Sequence, residues 1–331
     1  MHILTARNAH EMLPMALDRL FQIGRRRESR NGPVLQLMGP TVLCYERPLE
    51  RVLFWPQRDA NPFFHLMEAL WMLAGRNDVE FVKRYASRMG DYSDDGVTLN
   101  GAYGHRWRRR FGVDQLRCVA TNLQRNPECR RQVVSMWDTE WDVLNQDSKD
   151  VPCNTHAYFS RDESGALDMT VCNRSNDLVW GCLGANAVHF SFLLEYMAGL
   201  IGCRPGKYFQ FTNNLHGYLA TIEPLRDLPL SQGERSPYEA GITPMLMDVG
   251  PALENDLQAL GGLVSGESVF FARVVVPMGV AFDLYKKEGP QAALDVMRRV
   301  QSEDWRKAGV EWLERRAKRR AVAMDSGVGY V

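Results

Sequence analysis

The sequence predicts a single domain of the α+β class that spans residues 1–331. Two observations favour this fold. Segments whose apolar residues recur at helical spacing stand beside segments with strand-like alternation. No Pro-, Ser- or Gly-rich stretch and no run of one charge divides the chain into two halves. Hydrophobic residues make up 45% of the sequence and charged residues 24%, which is typical of a soluble globular protein.

The first half of the chain supplies two predicted helices and a strand-like stretch. Apolar residues recur at helical spacing over residues 10–23. Asn61 and Pro62 open a second, buried helix that ends at Gly75, because proline suits a helix start and glycine a helix end. Between these helices, VLQLMGPTVLCYERPLERVLFW (residues 34–55) is predicted as strand. A polar loop with glycines follows near residues 91–104.

The second half alternates between the two patterns. A helix is predicted over residues 112–126, and a strand follows in RRQVVSMWD. SGALDMTVCNRSND predicts a turn and then a strand. The almost wholly apolar ANAVHFSFLLEYMAGLIG predicts a central buried helix of about 17 residues. KYFQFTNNLHGYL returns to strand, and the charged residues from Gln291 onward predict solvated helices.

Charge and cysteine usage exclude several classes of function. The formal net charge is +0, so no global field draws the chain to nucleic acid or to anionic lipid, and neither partner is expected. The N-terminal residues lack the pattern of a secretory signal, and no stretch approaches about 18 uncharged apolar residues, so no membrane span is expected. Seven scattered cysteines without a C-x-x-C pair argue against a zinc site and favour free thiols in a reducing cytoplasm.

The stretch DVPCNTHAYF places Cys153 behind a proline and beside an asparagine. From the residue type alone, this cysteine is a packing residue, half of a disulfide, a metal ligand or a nucleophile. Four separate clusters combine arginine or histidine with small polar residues. They are ESRNGP with Arg30, CRRQVV with Arg130 and Arg131, NRSND with Arg174, and NNLHGY. Guanidinium forks and hydroxyl groups suit a phosphate monoester, so the clusters indicate an anionic small molecule bound beside a thiol.

The order of these motifs resembles the thymidylate synthase superfamily from about residue 20 to residue 225. The matching stretches are SRNG, NPFFHLMEALWMLAG, GAYGHRW, NPECRRQVVSMW, PCN, NRSND, the ANA-led helix and NNLHGY. The chain from about residue 230 matches poorly. The resemblance implies a large mixed sheet packed with helices, and a homodimer formed through that sheet, in which each active site receives residues from the partner. It also implies a pyrimidine nucleoside monophosphate as substrate, 5,10-methylenetetrahydrofolate as co-substrate, and no metal.

The resemblance assigns most of the site to the nucleotide. Cys153 would be the nucleophile that adds to C6 of the base, because a thiolate is nucleophilic and able to leave again. Nearby arginines are expected to lower the pKa of this thiol. The residues assigned to the nucleotide are the phosphate ligands Arg30 and Arg174 with Ser175 beside them, Arg130 and Arg131 that reach the partner's phosphate, and the sugar ligands His216 and Tyr218.

Further residues complete the site that the resemblance implies. Glu68 resembles the acid or base that organises water near C4 of the base, and Tyr103 lies near the nucleophile. Asp177 resembles the catalytic carboxylate that binds the pterin. Asn186 resembles the residue that reads the base edge, but its amide suits uracil or, flipped, cytosine. His189, on the apolar helix, is expected to be a core residue.

Three departures from the family pattern bear on the reaction. Met89 and Tyr92 stand where thymidylate synthases carry two tryptophans, and Tyr92 is the aromatic residue expected near the folate. The tail AVAMDSGVGYV lacks the usual apolar ending, and GCLGAN carries one extra residue. A looser wall would admit water to the methylene intermediate, so that a 5-hydroxymethyl group forms instead of a methyl group.

The sequence therefore predicts folate-dependent 5-hydroxymethylation of a pyrimidine nucleotide. Ser175 favours deoxyribose, and the resemblance to hydroxymethylases that act on cytidylates favours dCMP over dUMP or CMP. The alternatives are two methylating enzymes, a thymidylate synthase that acts on dUMP and a dCMP C5-methylase. A catalytically inactive nucleotide-binding protein is the alternative from another class.

Overall fold

The computed structural model describes residues 1–145, 147–228, 236–262 and 265–325, with side chains described up to residue 322. The strands are β1 (His2–Ala6), β2 (Arg25–Arg27), β3 (Val34–Gln36), β4 (Thr41–Tyr45), β5 (Val133–Ser135), β6 (Asn154–Arg161), β7 (Leu167–Asn173), β8 (Asn176–Asp177), β9 (Pro205–Thr212) and β10 (Leu215–Tyr218). The end of the tail AVAMDSGVGYV, on which one departure from the family pattern rests, lies outside the described residues.

The α-helices are α1 (Ala9–Ile23), α2 (Pro62–Leu73), α3 (Val79–Tyr85), α4 (Tyr103–Arg108), α5 (Gln115–Arg125), α6 (Thr139–Asp142), α7 (Ala187–Ile201), α8 (Leu219–Ile222), α9 (Pro251–Gln258), α10 (Val276–Glu288), α11 (Pro290–Met297) and α12 (Glu303–Asp325). Two segments, Leu178–Asn186 and Phe271–Val275, are π-helical. Ser87–Tyr92 and Glu223–Leu225 are 3₁₀ turns.

Six strands form a mixed sheet in the order β1-β4-β9-β7-β6-β5. β1 pairs with β4 in parallel and β7 pairs with β9 in parallel, while the other pairs are antiparallel. A smaller sheet joins β2, β3, β10 and β8, and its last pair is parallel. With the helices packed around them, these sheets confirm the α+β class and the large mixed sheet.

The large sheet turns one face to the core and the other toward solvent. Ala157 and Phe159 of β6 are buried, whereas Tyr158 between them is 42% exposed. Val133 on β5 and Phe211 on β9 lie on the same side as Tyr158 by strand register, and both are also exposed. Alternation along each strand therefore leaves apolar side chains on the outer face.

α2 and α7 form the centre of the helical layer. The Asn61 side chain accepts a hydrogen bond from the Phe64 N–H at 3.1 Å, and Pro62 occupies the first turn of α2. The chain turns after α2 at Gly75, whose φ is +69°. α7 is buried at every position from Ala187 to Ala198, which confirms the central buried helix.

The apolar segment Leu178–Ile201 is long and apolar enough to cross a membrane by length and composition alone. In the fold, 83% of its most apolar window is buried inside the protein. Core packing therefore accounts for the apolar character of this segment.

The strand-like stretch 34–55 is only partly strand. β3 and β4 occupy its first half, but residues 52–55 are buried and have no strand pairing among the described residues. Side chains bind this backbone instead. The Tyr238 hydroxyl accepts from the Val52 N–H at 3.1 Å, and His10 Nδ1 accepts from the Phe54 N–H at 3.2 Å. The strand prediction was wrong there, because an apolar run reports burial and not backbone pairing.

The C-terminal helices pack on the same core as the N-terminal ones. Phe63 of α2 contacts Phe282 of α10 and Trp312 of α12, with ring centroids 5.4 and 5.5 Å apart. Three arginines of α12 form ion pairs with Asp59, namely Arg315, Arg316 and Arg319. These pairs attach α12 to the loop that precedes α2 and carries Arg58.

Candidate active site

Cys153 lies in the turn that leads into β6, and Tyr103 at the start of α4 fixes that turn. The Tyr103 hydroxyl accepts hydrogen bonds from the backbone N–H groups of Cys153 and Asn154, each at 3.2 Å. The Tyr103 ring packs against Phe190 of α7, with centroids 5.9 Å apart. The nucleophile predicted from sequence is thus held by a side chain that is itself anchored in the core.

Arg174 approaches the same turn from the end of β7. Its guanidinium donates to the carbonyl oxygens of Pro152 and Val151 at 2.8 and 2.9 Å, and its backbone N–H donates to the Cys153 carbonyl at 2.9 Å. The residue is exposed, so its other N–H groups are free to meet an anion. The structure therefore brings the predicted phosphate ligand Arg174 to the predicted nucleophile.

The thiol of Cys153 is not activated within this chain. Burial raises the pKa of Cys153, and the charges of Asp150 and Asp177 raise it further, while Arg174 only partly offsets these effects. Arg174 does lower this pKa, as expected for a nearby arginine, but burial outweighs it, and the sequence does not reveal how deeply the sulfur is buried. At neutral pH the protonated thiol dominates.

A chain of buried amide side chains, which we call the amide relay, runs beside Cys153. Its members in order are Gln210, Asn176, Asn186, Asn154 and Asn173. Asn186 donates to the Asn176 amide oxygen and accepts from the Asn154 amide nitrogen, each at 3.0 Å. Every member is at most 5% exposed, so the relay is shielded from water.

The amide relay has a fixed direction. At its start, Gln210 Nε2 donates to the backbone carbonyl of Cys182 at 2.9 Å. A carbonyl only accepts, so this contact orients the Gln210 amide and, through it, each later member. Asn186, the predicted base-reading residue, therefore has an amide that does not flip without breaking two buried hydrogen bonds.

Asp177 follows Asn176 at the end of β8 and faces the other end of the site. Its Oδ2 accepts from the Trp180 backbone N–H at 2.6 Å. Its Oδ1 is buried and has no hydrogen-bond partner among the described residues. Burial raises the pKa of Asp177, against the opposing effects of the Trp180 N–H, of His216, and of the Gly181 and Tyr218 N–H groups, which lie near the carboxylate but are not aligned for a hydrogen bond to Oδ1.

His216 and Tyr218 on β10 lie next to Asp177. Strand register pairs His216 directly with Asp177. His216 Nδ1 is 3.1 Å from Asn214 Oδ1, and the rings of His216 and Tyr218 meet edge to face at 5.4 Å. The structure thus brings both predicted sugar ligands to one side of the amide relay.

Glu68 and His189, which we call the carboxylate pair, meet in the core between α2 and α7. Glu68 Oε2 and His189 Nε2 are 3.0 Å apart, and the residues are 6% and 1% exposed. The two atoms are close but not aligned for a hydrogen bond, so neither has a hydrogen-bond partner among the described residues, and His189 Nδ1 has none either. The expected core position of His189 is confirmed, but its contact with Glu68 was not foreseen.

Asp150 lies between the carboxylate pair and the thiol. Burial, with smaller contributions from Asp94 and Glu68, raises the pKa of Asp150 to about 6, although the Gly101 N–H donates to it at 2.7 Å. A Cβ added to Gly101 would lie 2.7 Å from Asp150 Oδ1, so this approach requires glycine. The charge of Asp150 in turn raises the pKa of Cys153.

Three predicted phosphate ligands lie apart from this group. Arg30 is exposed in a turn before β3, and Arg130 and Arg131 are exposed just before β5. None of the three has a contact with Cys153 in the part of the chain that the structure describes. Their roles stay predictions, as does that of the half-buried Ser175 between Arg174 and Asn176.

The segment that replaces the two tryptophans is open to solvent. Tyr92 is 49% exposed at the end of a 3₁₀ turn, and Met89 is partly buried against the core. Only Met89 therefore contributes to packing. A role for Tyr92 at the folate stays a prediction.

Trp180 is an exposed aromatic residue that the sequence analysis left without a role. It is 58% exposed beside Asp177, and the Arg58 guanidinium lies 4.6 Å from its ring centroid. Arg58 is buried and donates to the Val179 carbonyl at 2.9 Å, and burial lowers the pKa of Arg58 to about 10. A cation packed on one face of the indole supports the ring without covering it.

The extra residue in GCLGAN falls in the π-helical segment Leu178–Asn186. A π-helical turn holds one residue more than an α-helical turn, and such turns are frequent at functional sites. This segment begins at Asp177 and presents Trp180 to solvent. The altered spacing was thus the sequence signal that could have identified Trp180.

The Asp177 end of the site fits a folate. The unpartnered, buried Oδ1 of Asp177 is an acceptor for the N–H groups of a pterin, and Trp180 offers an aromatic face to a flat ring.

Among the described residues, no group of three or more His, Cys, Asp and Glu side chains is arranged to hold a metal ion. All seven cysteines are free thiols.

The chain belongs to the thymidylate synthase family, because the model of that family, described as thymidylate synthase, matches residues 22–243. The resemblance seen in the sequence is thereby confirmed. The enzyme class is confirmed as well, and this protein is a transferase of the thymidylate synthase superfamily.

Phage enzymes are among its relatives. The chain is 48% identical to a deoxyuridylate hydroxymethyltransferase of Pseudomonas phage M6 over an alignment of 352 positions, which covers 100% of both chains. It is 41% identical to a deoxyuridylate hydroxymethyltransferase of Bacillus phage SP01 over 198 residues, covering 57% of this chain and 51% of the relative. A thymidylate synthase of Symbiobacterium thermophilum is 28% identical over 216 residues, covering 59% and 73%. The two phage relatives carry the name hydroxymethyltransferase, which confirms the hydroxymethylase branch of the family for this chain.

Proposed function

We propose that this protein converts dUMP to 5-hydroxymethyl-dUMP with 5,10-methylenetetrahydrofolate as the one-carbon donor. The observation that carries the proposal is the placement of Cys153 between Arg174 and the amide relay. A thiol in this position meets a pyrimidine whose phosphate is bound by arginine and whose edge is read by Asn186. The relatives named as deoxyuridylate hydroxymethyltransferases support the same reaction.

In this proposal Cys153 is the nucleophile. C5 of a pyrimidine is a poor nucleophile until sulfur adds to C6 and the ring becomes an enolate. The raised pKa of Cys153 requires that its proton leave as the attack proceeds, and the phosphate-bound arginines then stabilise the complex. The folate, when bound, supplies the one-carbon unit that becomes attached to C5.

The base is the finer point of the proposal. In the sequence alone, an amide free to flip suits either base, and dCMP is favoured only by the resemblance to hydroxymethylases that act on cytidylates. The amide relay removes that freedom, so Asn186 serves one base and not both. Because the phage relatives carry deoxyuridylate in their names, we favour uracil.

The exposed segment around Tyr92 favours the addition of water to the methylene carbon over its reduction by hydride. Tyr92 is exposed, and the segment around it has no tryptophan to cover the site. Water that reaches the methylene carbon adds a hydroxyl group before hydride is transferred. In this proposal Glu68, the predicted acid or base, accepts the proton of that water.

The folate is proposed to bind at the Asp177 end. Asp177 Oδ1 would accept from the pterin, and Trp180 would stack on it, with Tyr92 at the outer edge. Both aromatic residues are exposed in the described fold and available for this contact. Free thiols throughout the chain suit a reducing cytoplasm.

A homodimer formed through the outer face of the large sheet completes the proposal. Val133, Tyr158 and Phe211 are exposed apolar residues on that face, and such patches mark protein interfaces. Arg130 and Arg131 stand directly before β5, at the edge of the same face, so a partner across it receives them. Mixing Cys153→Ala protein with Arg130→Ala/Arg131→Ala protein, after subunit exchange, should restore activity. Continued inactivity of the mixture would exclude shared arginines.

The reaction is tested with dUMP, dCMP or CMP, methylenetetrahydrofolate and ¹⁸O-labelled water. We expect a product from dUMP that is heavier by a hydroxymethyl group containing ¹⁸O, together with tritium release from C5-labelled dUMP. A methyl product with dihydrofolate formed in equal amount would make the protein a thymidylate synthase. Nucleotide binding without tritium release would support the inactive binding protein.

A further inference from the structure

We propose that His189 is a positioning residue that keeps Glu68 in place as the proton acceptor for the water that hydrates the methylene intermediate. This inference rests on the proposed function and deepens it. It assigns a role to a buried side chain on α7 that was expected only to pack in the core. The observation behind it is the 3.0 Å approach of His189 Nε2 to Glu68 Oε2.

The hydrogen bonding of His189 differs from that of a structural histidine. His10, for comparison, is a structural histidine: its Nδ1 accepts from the Phe54 N–H, and its ring stacks on Trp55 at 4.6 Å. His189 is 1% exposed, yet neither ring nitrogen has an aligned partner among the described residues. Buried polar atoms in native proteins are normally satisfied, so these atoms and Glu68 Oε2 have capacity reserved for water or ligand.

The charged and titratable groups near Glu68 and His189 come from α2 and from two loops. His65 lies one turn before Glu68 on α2, and burial, followed by Arg58 and His189, lowers the pKa of His65 well below its usual value. His65 is therefore neutral. Arg58 supplies positive charge from the loop before α2, and Asp150 supplies negative charge from the loop before β6. His189 is thus the titratable group in direct contact with Glu68.

The hydration step requires such an arrangement. The oxygen of water bonds to the exocyclic methylene carbon, and the electrons of the carbon–carbon double bond move into the ring as an enolate. One proton of the water passes to the Glu68 carboxylate. The enolate then expels the Cys153 sulfur as a thiolate and restores the double bond between C5 and C6. His189 holds the carboxylate toward the water that it deprotonates.

A trapping experiment isolates this step. The methylene intermediate is electrophilic, so 2-mercaptoethanol at a fixed concentration competes with water and gives a thioether at C5. In His189→Leu protein we expect the ratio of thioether to hydroxymethyl product, measured by mass spectrometry, to rise about 10-fold or more. His189→Gln, whose amide offers a donor near Glu68, should restore part of the normal ratio. The affinity for dUMP, measured by calorimetry without folate, should stay within about twofold, since the proposal gives His189 no contact with the nucleotide.

The control is Ser191→Ala, two residues further along α7. Ser191 is equally buried, but its hydroxyl donates to the Val188 carbonyl within the helix. This variant should leave the product ratio unchanged. If His189→Leu lowers both products in parallel with an unchanged ratio, His189 is merely structural and the inference fails. If the unmodified protein itself forms no hydroxymethyl product, the proposed function fails instead.

Discussion

The amide relay and the carboxylate pair are both buried, but they differ in how completely their polar atoms are bonded. In the relay, each amide donates to the preceding member and accepts from the next, starting from a backbone carbonyl. In the pair, Glu68 Oε2 and both ring nitrogens of His189 lack an aligned partner among the described residues. Asn154 of the relay adjoins Cys153 in the chain, and the pair is linked to Cys153 through the charge of Asp150, which acts on that thiol and is itself influenced by Glu68.

The difference separates recognition from chemistry. A fully bonded network in a low-dielectric interior is rigid, so it presents a fixed pattern to a base edge. An incompletely bonded pair can receive a water molecule and a proton without first breaking a protein contact. A site that must select a base and then activate water needs both kinds of region.

Glu68→Gln should have the largest effect, because it removes the proton acceptor from the carboxylate pair. We expect formation of the hydroxymethyl product to fall about 10²- to 10⁴-fold, the usual range for loss of a general base. Glutamine has nearly the same shape, so the affinity for dUMP should change little. Single-turnover product analysis beside calorimetry measures the two quantities. Equal losses in binding and in product formation would contradict a catalytic role.

Asn186→Asp tests the amide relay. A carboxylate only accepts, so it faces the Asn176 amide oxygen without a proton to donate, and it suits the amine of cytosine better than the carbonyl of uracil. We expect kcat/KM for dUMP to fall about 100-fold and that for dCMP to fall less or to rise.

The matched control for this change is Gln210→Glu, which loses the bond to the Cys182 carbonyl but still accepts from Asn176 and so keeps the direction of the relay at Asn186. It should lower the melting temperature without changing the preferred base. If it changes base preference as strongly as Asn186→Asp, the relay as a whole reads the base, and Asn186 has no special role.

The sequence revealed single residues of both regions, but it did not reveal the contacts that join them. Cys153, Glu68, Asp177 and Asn186 stand in motifs whose order is visible in the chain, and α2 and α7 follow from local apolar patterns. The amide relay was not foreseen, because its members come from five separate points in the chain and meet only in the folded sheet. The raised pKa of Cys153 was missed for a similar reason, since burial is a property of the fold. His189 gave no signal, because its neighbours on α7 are apolar.

Asp150→Asn tests the coupling between the two regions. The pKa of Asp150 is raised from 3.8 to about 6, so its protonated form is favoured in the folded state. The corresponding stability is fully present below pH 3.8 and is lost as the pH rises through about 6. Asparagine stays neutral and still accepts from Gly101, so the variant should be more stable above pH 6 by on the order of 1–3 kcal/mol.

Thermal unfolding of both proteins from pH 4 to pH 7 measures this difference. The melting temperatures should coincide near pH 4 and diverge toward pH 7. Loss of the Asp150 charge should also lower the pKa of Cys153 and move the acid limb of the activity profile to lower pH. A constant difference in melting temperature across this pH range would show that Asp150 does not titrate there.

Trp180→Ala should have the smallest effect, because it changes an exposed face and leaves both buried regions intact. If the pterin stacks on the indole, the KM for methylenetetrahydrofolate should rise about 10-fold, which corresponds to about 1.4 kcal/mol, while the KM for dUMP stays the same. Trp180→Phe retains an aromatic face and should recover most of the affinity. The indole rests on the Arg58 guanidinium, so Arg58→Lys, which loses the flat cation but keeps the charge, should produce an intermediate rise. An unchanged folate KM in Trp180→Ala would move the pterin away from the π-helical segment and leave Tyr92 as the aromatic residue to test.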